Sequence, residues 1–327
     1  MVNYAGSVMN TIPLTFNEKQ IERTILGGTE KNPYASHPVS VVVLTREISH
    51  YKNQIFESLM KNGFESIISV EHHTDNYSID ELSRTYPCVK FIIPHEKIST
   101  GEKINISMSE TESPYVLILW DDIKTRVNMF SDLLLNRLHE SNAVCLSPVL
   151  LNDQMQNILV KMKPFIKKAS FSVIPGQVLY DSTPTLYNFD FIGIYNREKF
   201  IQLGGFDYTI TSSYWQNLDF CMRSWLWGEK IICSPLFRLS YEDLSPVEDS
   251  TIDISYLRFY LKNLLPLFKN DYAYIPVSSF LGFARRASSL FNSFSLFKSA
   301  RSWVETNKYR FKTDASALIS QWDEKKE

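Results

Sequence analysis

Paired cysteines, an export signal and long apolar runs are all missing from this sequence. Four cysteines occur among 327 residues, far apart and without Cys-x-x-Cys spacing. This argues against a zinc knuckle or a disulfide framework and fits reduced thiols in a cytosol. Residues 1 to 40 hold no basic start followed by an apolar core, and no stretch is apolar over the length that spans a bilayer. We therefore expect a cytoplasmic protein that is not exported.

Glycine-rich phosphate loops and an excess of one charge are lacking as well. A dinucleotide-binding fold needs Gly-x-Gly-x-x-Gly after its first strand, and a P-loop needs Gly-x-x-x-x-Gly-Lys; neither motif is present. The 34 Lys and Arg nearly balance the 36 Asp and Glu, so a nucleic-acid partner has no electrostatic footprint and none is expected. Any phosphate of a ligand must be held by other groups.

Short apolar runs recur along the chain from residue 39 onward. Each run is rich in Val and Ile and is followed by a turn and a segment of helical length, which is the rhythm of βαβ units. Runs without polar alternation are typical of parallel strands that helices cover on both faces. The sequence predicts an α/β fold whose ligands gather at the carboxyl ends of the strands. The runs are Val39–Leu44, Ile67–Val70, Val89–Ile93, Tyr115–Trp120 and Ala143–Leu146.

Composition and chain breaks predict three regions. Residues 1–37 are mixed and weakly periodic up to the breaks before Pro33 and Pro38, so they are interpreted as an extension on the surface or in part disordered. Residues 38–250 form the α/β domain. Residues 251–327 are predicted to be helical, beginning with one helix over Ile252–Phe268.

Polar and acidic residues follow three of the predicted strands. Thr45 and Glu47 follow the first, Glu71 follows the second, and Asp121 with Asp122 follows the fourth. An acidic pair beyond a buried strand can hold a divalent cation, which in turn bridges a diphosphate through hard oxygen ligands. The sequence therefore predicts a site for a phosphorylated ligand at this edge.

These segments together resemble the motifs of family 2 glycosyltransferases. On the acceptor side, Gly-Gly-Phe-Asp at 204–207 is followed by the Asp-x-x-x-Arg spacing of 219–223, which is rarely accidental. The resemblance covers roughly residues 38 to 245, with boundaries good to about two to four residues. The matching segments are Val39–Thr45, Val70–Asp75, Ser113–Asp122, Phe189–Asp207, Gln216–Arg223 and Gly228.

The resemblance implies a GT-A fold, a mixed and mostly parallel sheet flanked by helices, with a helical C-terminal tail. It implies transfer of a sugar from a nucleotide donor such as a UDP-sugar, with Mn²⁺ or Mg²⁺, to a glycan or lipid-linked hydroxyl. Each candidate residue carries an implied role. Thr45, Glu47, Glu71 and Asp121 are expected to bind the nucleotide, Asp121 and Asp122 the metal, and Asp190, Asn217 and Asp219 are the candidate catalytic residues.

Three chemical positions depart from the family pattern. Gln216-Asn217 stands where the family has a Glu-Asp base motif, and neither amide acts as a base near neutral pH. Lys124 stands where a second metal-binding carboxylate would lie, and it could supply charge without a metal. The histidine that serves relatives as a third metal ligand is replaced near 239–243. The alternatives to an active inverting transferase are therefore a silent relative that binds nucleotide sugar and a pure interaction module.

Structural explanations compete with these functional ones. Asp121 and Asp122 could cap a following helix, and Asp219 and Arg223 could form an ion pair that supports the Gly204-Gly205 turn. Glu242 and Asp243 are candidates for a relocated base.

A basic, aromatic stretch lies at 276–312. Phenylalanines recur there at helical spacing, and seven Lys or Arg accompany one acid, Glu305. The functional interpretation is a membrane-surface foot that reaches a lipid-linked acceptor. The alternatives are a helix that completes the core and a homo-oligomer contact.

Overall fold

The computed structural model describes six stretches of the chain and centres on one large sheet. The described residues are 19–46, 52–72, 76–126, 129–167, 170–285 and 290–322. The large sheet has ten strands in the order β1-β4-β3-β2-β5-β11-β7-β12-β10, with β6 paired to β12, and two hairpins form separate sheets. The strands are β1 (Arg23–Gly27), β2 (Val39–Leu44), β3 (Ile67–Val70), β4 (Val89–Pro94), β5 (Tyr115–Trp120), β6 (Ile123–Lys124), β7 (Cys145–Leu151), β8 (Lys161–Lys167), β9 (Ser170–Gly176), β10 (Thr183–Pro184), β11 (Gly193–Asn196), β12 (Ile231–Tyr241), β13 (Leu267–Lys269) and β14 (Tyr272–Tyr274).

Helices cover this sheet and build most of the C-terminal region. A 3₁₀ turn spans Phe189–Phe191, and a π-helical turn at Tyr260–Leu264 continues α7. The α-helices are α1 (Lys52–Lys61), α2 (Asn76–Thr85), α3 (Thr100–Ser109), α4 (Asp132–Ser141), α5 (Arg197–Gln202), α6 (Ser213–Leu226), α7 (Ile254–Phe259), α8 (Ser279–Ala284), α9 (Leu290–Asn307) and α10 (Ala315–Ser320).

The centre of the sheet is parallel, as the apolar runs predicted. Strands β4, β3, β2 and β5 run parallel side by side, and β11 lies antiparallel between β5 and β7. All six side chains of β2 and all four of β3 are buried, as expected where helices cover both faces. The predicted α/β class, with a mixed sheet flanked by helices, is confirmed.

Residues 1–37 were interpreted as an extension on the surface or in part disordered, and the structure shows that part of this segment is an ordered edge strand. Arg23–Gly27 pairs antiparallel with β4 as the edge strand of the main sheet, and Ile21 beside it is buried. Pairing satisfies backbone groups that β4 would otherwise leave open at the edge.

The start of the C-terminal region, predicted as one helix, forms several shorter elements. Over Ile252–Phe268 the chain forms α7, a π-helical turn and the first strand of the β13–β14 hairpin. Phe283 and Phe297 are buried, with ring centroids 6.2 Å apart, whereas Phe294 is exposed. This burial fits the core-completing interpretation of the stretch 276–312, and membrane contact stays a prediction. Within the described residues, no helix is long and apolar enough to cross a membrane.

Candidate functional site

Strand register brings the predicted polar residues to one edge of the sheet. Leu44, the last residue of β2, pairs with Val70 of β3 on one side and with Trp120 of β5 on the other. The residues that follow these three therefore emerge side by side. The N–H of Asp121 donates to the Leu44 carbonyl at 3.0 Å, which extends the β2–β5 pairing one step beyond the strands.

Glu71 and Thr45 lie together at this edge. Glu71 is fully buried, and its carboxylate accepts hydrogen bonds from Ser69 Oγ at 2.7 Å and from Thr45 Oγ1 at 3.4 Å. The sequence prediction thus placed Thr45 and Glu71 in one cluster correctly. Glu47, predicted beside them, lies outside the described residues.

The centre of the site is Arg46, which was not among the site residues predicted from the sequence. Its Nε donates to Asp122 Oδ2 and its Nη2 to Asp190 Oδ2, each at 2.5 Å. Its guanidinium lies 4.2 Å from the ring centroid of Trp120. Arg46 therefore joins the end of β5 to the 3₁₀ turn before β11. The sequence signal that could have identified Arg46 is a cation just after β2, at the sheet edge where two predicted acids lie.

Asp190 is held in a special backbone position. Its φ of 55° lies in the left-handed region, which Asp tolerates better than most residues. Trp120 Nε1 donates to the Asp190 carbonyl and Tyr241 Oη donates to Asp190 Oδ2, both at 2.9 Å. These bonds fix the turn so that its carboxylate faces Arg46.

The guanidinium of Arg46 is shared by two carboxylates, and the pKa of each carboxylate is raised. Burial raises the pKa of Asp190 to about 6 although Arg46 opposes the shift. Burial also raises the pKa of Asp122 against the same Arg46. Asp122 Oδ1 is buried and has no hydrogen-bond partner within the described residues.

Asp121 is buried and accepts a hydrogen bond from the backbone N–H of Arg46 at 3.1 Å. No helix follows Asp122, because Ile123 and Lys124 form β6, so the helix-cap alternative for the two aspartates is wrong. Lys124 Nζ lies 3.4 Å from Glu242 Oε2 rather than beside Asp122. The cation of the site is thus Arg46 and not Lys124.

Asp219, a predicted catalytic residue, lies inside a structural network. Its side chain has no exposed surface; Oδ1 accepts from Asn263 at 2.7 Å, and Oδ2 accepts from Arg223 at 3.2 Å and Lys262 at 3.3 Å. A carboxylate buried and bonded at both oxygens cannot take a proton from an acceptor hydroxyl in this conformation.

The ion-pair alternative for Asp219 and Arg223 is borne out by the geometry of the turn beneath them. Arg223 also donates to the carbonyls of Leu203 and Gly205. Gly204 and Gly205 both have positive φ, at 84° and 65°, which favours glycine at each position.

Gln216 and Asn217 are buried amides with structural partners. Asn217 Nδ2 donates to the Asn188 carbonyl at 2.7 Å. Gln216 Oε1 accepts from the Gly101 N–H at 2.8 Å, and its Nε2 donates to Ser99 Oγ at 2.9 Å. In this place the two amides link α6 to α3 and to the 3₁₀ turn.

Glu248, on the loop after β12, is a half-buried acid that sequence reasoning missed. Tyr187 Oη donates to Glu248 Oε2 at 2.6 Å, and the backbone N–H of Asp190 also hydrogen-bonds to this carboxylate. Burial raises the pKa of Glu248 to about 7. Glu242 and Asp243, the acids that the sequence offered as candidates for a relocated base, lie nearer the start of the same loop.

The carboxylates in this arrangement do not fit a divalent cation. No three His, Cys, Asp or Glu side chains come together as a potential metal site in the described part of the chain. One oxygen of Asp122 and one oxygen of Asp190 are both bonded to Arg46.

Comparison with known proteins finds structural likeness only. No family model and no curated protein matches the chain. GalNAc-T7, crystallised with UDP, GalNAc and Mn²⁺, has a TM-score of 0.59 at 12% identity, over 88% of this chain and 56% of GalNAc-T7. This chain thus matches little more than half the length of that protein. The likeness confirms the predicted GT-A fold.

Two further solved structures match less well. TarS 1-349 of S. aureus in complex with UDP-GlcNAc has a TM-score of 0.49 at 13% identity, over 80% of this chain and 71% of the other. The mannosyltransferase PcManGT from Pyrobaculum calidifontis, with GDP-Man and Mn²⁺, has a TM-score of 0.44 at 13% identity, over 94% and 79%.

Proposed function

We propose that this chain is a glycosyltransferase that moves a sugar from a nucleotide-sugar donor to a hydroxyl acceptor, with inversion, in the synthesis of a surface glycan. The observation that carries the proposal is the meeting of Arg46, Asp122 and Asp190 at the carboxyl edge of the parallel strands, beside buried Glu71. Ligands of open α/β sheets bind at this edge.

The donor side uses hydroxyl and charge recognition. Glu71 and Thr45 form the end of the site where the nucleoside binds, because a buried carboxylate accepts from a ribose hydroxyl or a pyrimidine N–H. Asp121 and Asp122 face the ribose and the sugar, and the lone oxygen of Asp122 is suited to accept from a donor hydroxyl. UDP-sugars come first for testing, because GalNAc-T7 was crystallised with UDP.

The acceptor side needs a general base, and we assign Glu248 to it. In an inverting transfer the acceptor oxygen forms a bond to the anomeric carbon while the bond from that carbon to the diphosphate oxygen breaks, and the acceptor proton passes to the base. Glu248 adjoins Asp190 and has a pKa near neutrality, which suits a base at ordinary pH. Asp190, the other acid here, is bonded by Arg46 and Tyr241.

A catalytically silent donor-binding protein is the second candidate. It is favoured by one observation: Gln216 and Asn217, at the family's base motif, are amides locked in structural hydrogen bonds. In that case the donor edge retains its ligand and no transfer follows.

A panel of UDP- and GDP-sugars, tested for hydrolysis and for binding with and without Mn²⁺, separates these two. Turnover that Asp122→Ala abolishes and Asp80→Asn, an exposed acid on α2, leaves intact supports the enzyme. Binding without turnover supports the silent protein. Failure of every nucleotide and nucleotide sugar to bind would remove both.

A further inference from the structure

The geometry points to Arg46 as the built-in cation of the donor site, which binds the donor diphosphate in place of a divalent metal ion. The inference rests on the proposed function for the identity of its ligand. Beyond the proposed function, Arg46 itself supplies the positive charge that neutralises the leaving diphosphate, and donor binding is therefore independent of a metal ion.

Arg46 is fixed on three sides. Asp122 and Asp190 each bind the guanidinium at 2.5 Å, and its central carbon lies over the Trp120 ring, 4.2 Å from the ring centroid. Tyr241 and the Trp120 indole N–H fix Asp190 in turn. A side chain held in this way loses little further conformational freedom when it binds a ligand.

Guanidinium is suited to the task that a metal performs in related chemistry. It is planar, always charged and presents five N–H donors in a fork that matches phosphate oxygens. Asp122 and Asp190 occupy two of those donors. Charge-assisted hydrogen bonds of this kind stabilise a departing diphosphate without a metal.

A divalent ion at the same position would have to displace this guanidinium. Mg²⁺ requires near-octahedral oxygen ligands, and one oxygen of each carboxylate, Asp122 Oδ2 and Asp190 Oδ2, is already bonded to Arg46. An arginine cannot lose its proton to make room. A metal that bridges the two carboxylates through these oxygens would therefore have to break both ion pairs.

The first test titrates Mn²⁺ against the purified protein and follows the sharp electron-spin resonance signal of the hydrated ion. We expect the wild-type chain to leave the signal unchanged. Arg46→Met, which frees Asp122 and Asp190, is expected to reduce it. Arg137→Met serves as the matched control, because it removes an arginine from a comparable pair with Asp181 at 2.7 Å.

The second test measures the affinity for UDP and GDP, and for uridine and guanosine, in EDTA and in Mn²⁺. We expect wild-type UDP or GDP binding to be the same in both. Arg46→Met should weaken the diphosphate by about tenfold to a hundredfold, the range for a hydrogen bond to a charged group, and leave the nucleoside unchanged. Arg46→Lys keeps the positive charge but loses the forked N–H donors, so its affinity for the diphosphate should lie between those of the wild type and Arg46→Met.

Diphosphate binding that requires Mn²⁺ in the wild type overturns the inference and leaves the proposed function standing. The inference is also overturned, and the proposed function again left standing, if Arg46→Met weakens nucleoside binding and diphosphate binding alike while circular dichroism shows a folded protein. If neither nucleotide binds under any condition, the proposed function fails together with this inference. The wild-type comparison in EDTA needs no variant, so misfolding of Arg46→Met would not prevent a decision.

Discussion

Glu248 is the residue whose environment predicts a pH profile. Burial raises its pKa to about 7, and Tyr187, Tyr214 and Asp190 are the titratable groups that face it. Since only the carboxylate form takes a proton, kcat should rise as pH increases through about 7. Glu248→Gln should lower kcat by about a hundredfold to ten-thousandfold and remove this rise. The measurement is a pH–rate profile of both proteins with a saturating donor.

The same group has the opposite effect on stability. The folded-state pKa of Glu248 lies above its ordinary value of 4.5, so the folded chain binds more protons than the unfolded chain between about pH 4.5 and about 7. The free energy of unfolding must therefore fall as pH rises through this window. Urea denaturation should show a shallower fall for Glu248→Gln. A variant that loses activity but keeps the wild-type slope would show that another acid carries the shift.

Among individual site residues, the sequence predicted those whose position is set by the end of a strand. It missed those whose position at the site depends on a long side chain or a loop. Thr45, Glu71 and Asp121 were placed correctly because the end of a parallel strand fixes where the next residue emerges. Arg46 and Glu248 depend on the path of a long side chain and of a loop, which local patterns do not specify.

Gly101 controls how closely helices α3 and α6 approach. Its N–H donates to Gln216 Oε1, and a Cβ built at this position would lie 2.5 Å from Gln216 Cδ and from Phe206 Cβ. Gly101→Ala should therefore lower the free energy of unfolding by about 1–3 kcal/mol through overpacking.

Gly282 is the matched control for this change, since a Cβ there meets nothing within 4 Å. Gly282→Ala, within α8, should be neutral or stabilising by up to about 1 kcal/mol. Guanidinium unfolding of the two variants tests the contact. Equal stabilities would mean that α3 and α6 tolerate a wider spacing than the structure shows.

Elements followed the sequence closely where burial is two-sided. Val39–Leu44, Ile67–Val70 and Tyr115–Trp120 match their predicted bounds residue for residue, because continuous apolar runs leave little choice of register or state. The edge strand Arg23–Gly27 has a mixed pattern and depends on pairing with β4, which no local pattern of its own reveals. The β13–β14 hairpin was not predicted for the same reason.

Across the whole molecule, the C-terminal region is joined to the α/β core by buried charge. Lys262 Nζ lies 2.7 Å from Asp207 and 3.3 Å from Asp219, and it also lies 4.5 Å from the ring centroid of Trp303 on α9. Burial alone would raise the pKa of Asp207, but Lys262 lowers it below its ordinary value. The described part of the C-terminal region is thus packed on the core through Lys262 and Trp303 rather than appended to it, which the sequence left open.

Asp219 lies at the centre of this junction, and its removal distinguishes a structural from a catalytic role. Asp219→Ala leaves Arg223 and Lys262 buried with one shared partner fewer, so the free energy of unfolding should fall by about 3–5 kcal/mol. Glu305→Gln, which breaks an exposed pair with Lys308, should lower the free energy of unfolding far less, because exposed ion pairs contribute little. If Asp219 were instead a proton acceptor, kcat per folded molecule would collapse while the unfolding curve stayed in place. Denaturation curves, together with activity normalised to the folded fraction, decide between these outcomes, because a network that holds two regions together must register the loss in stability first.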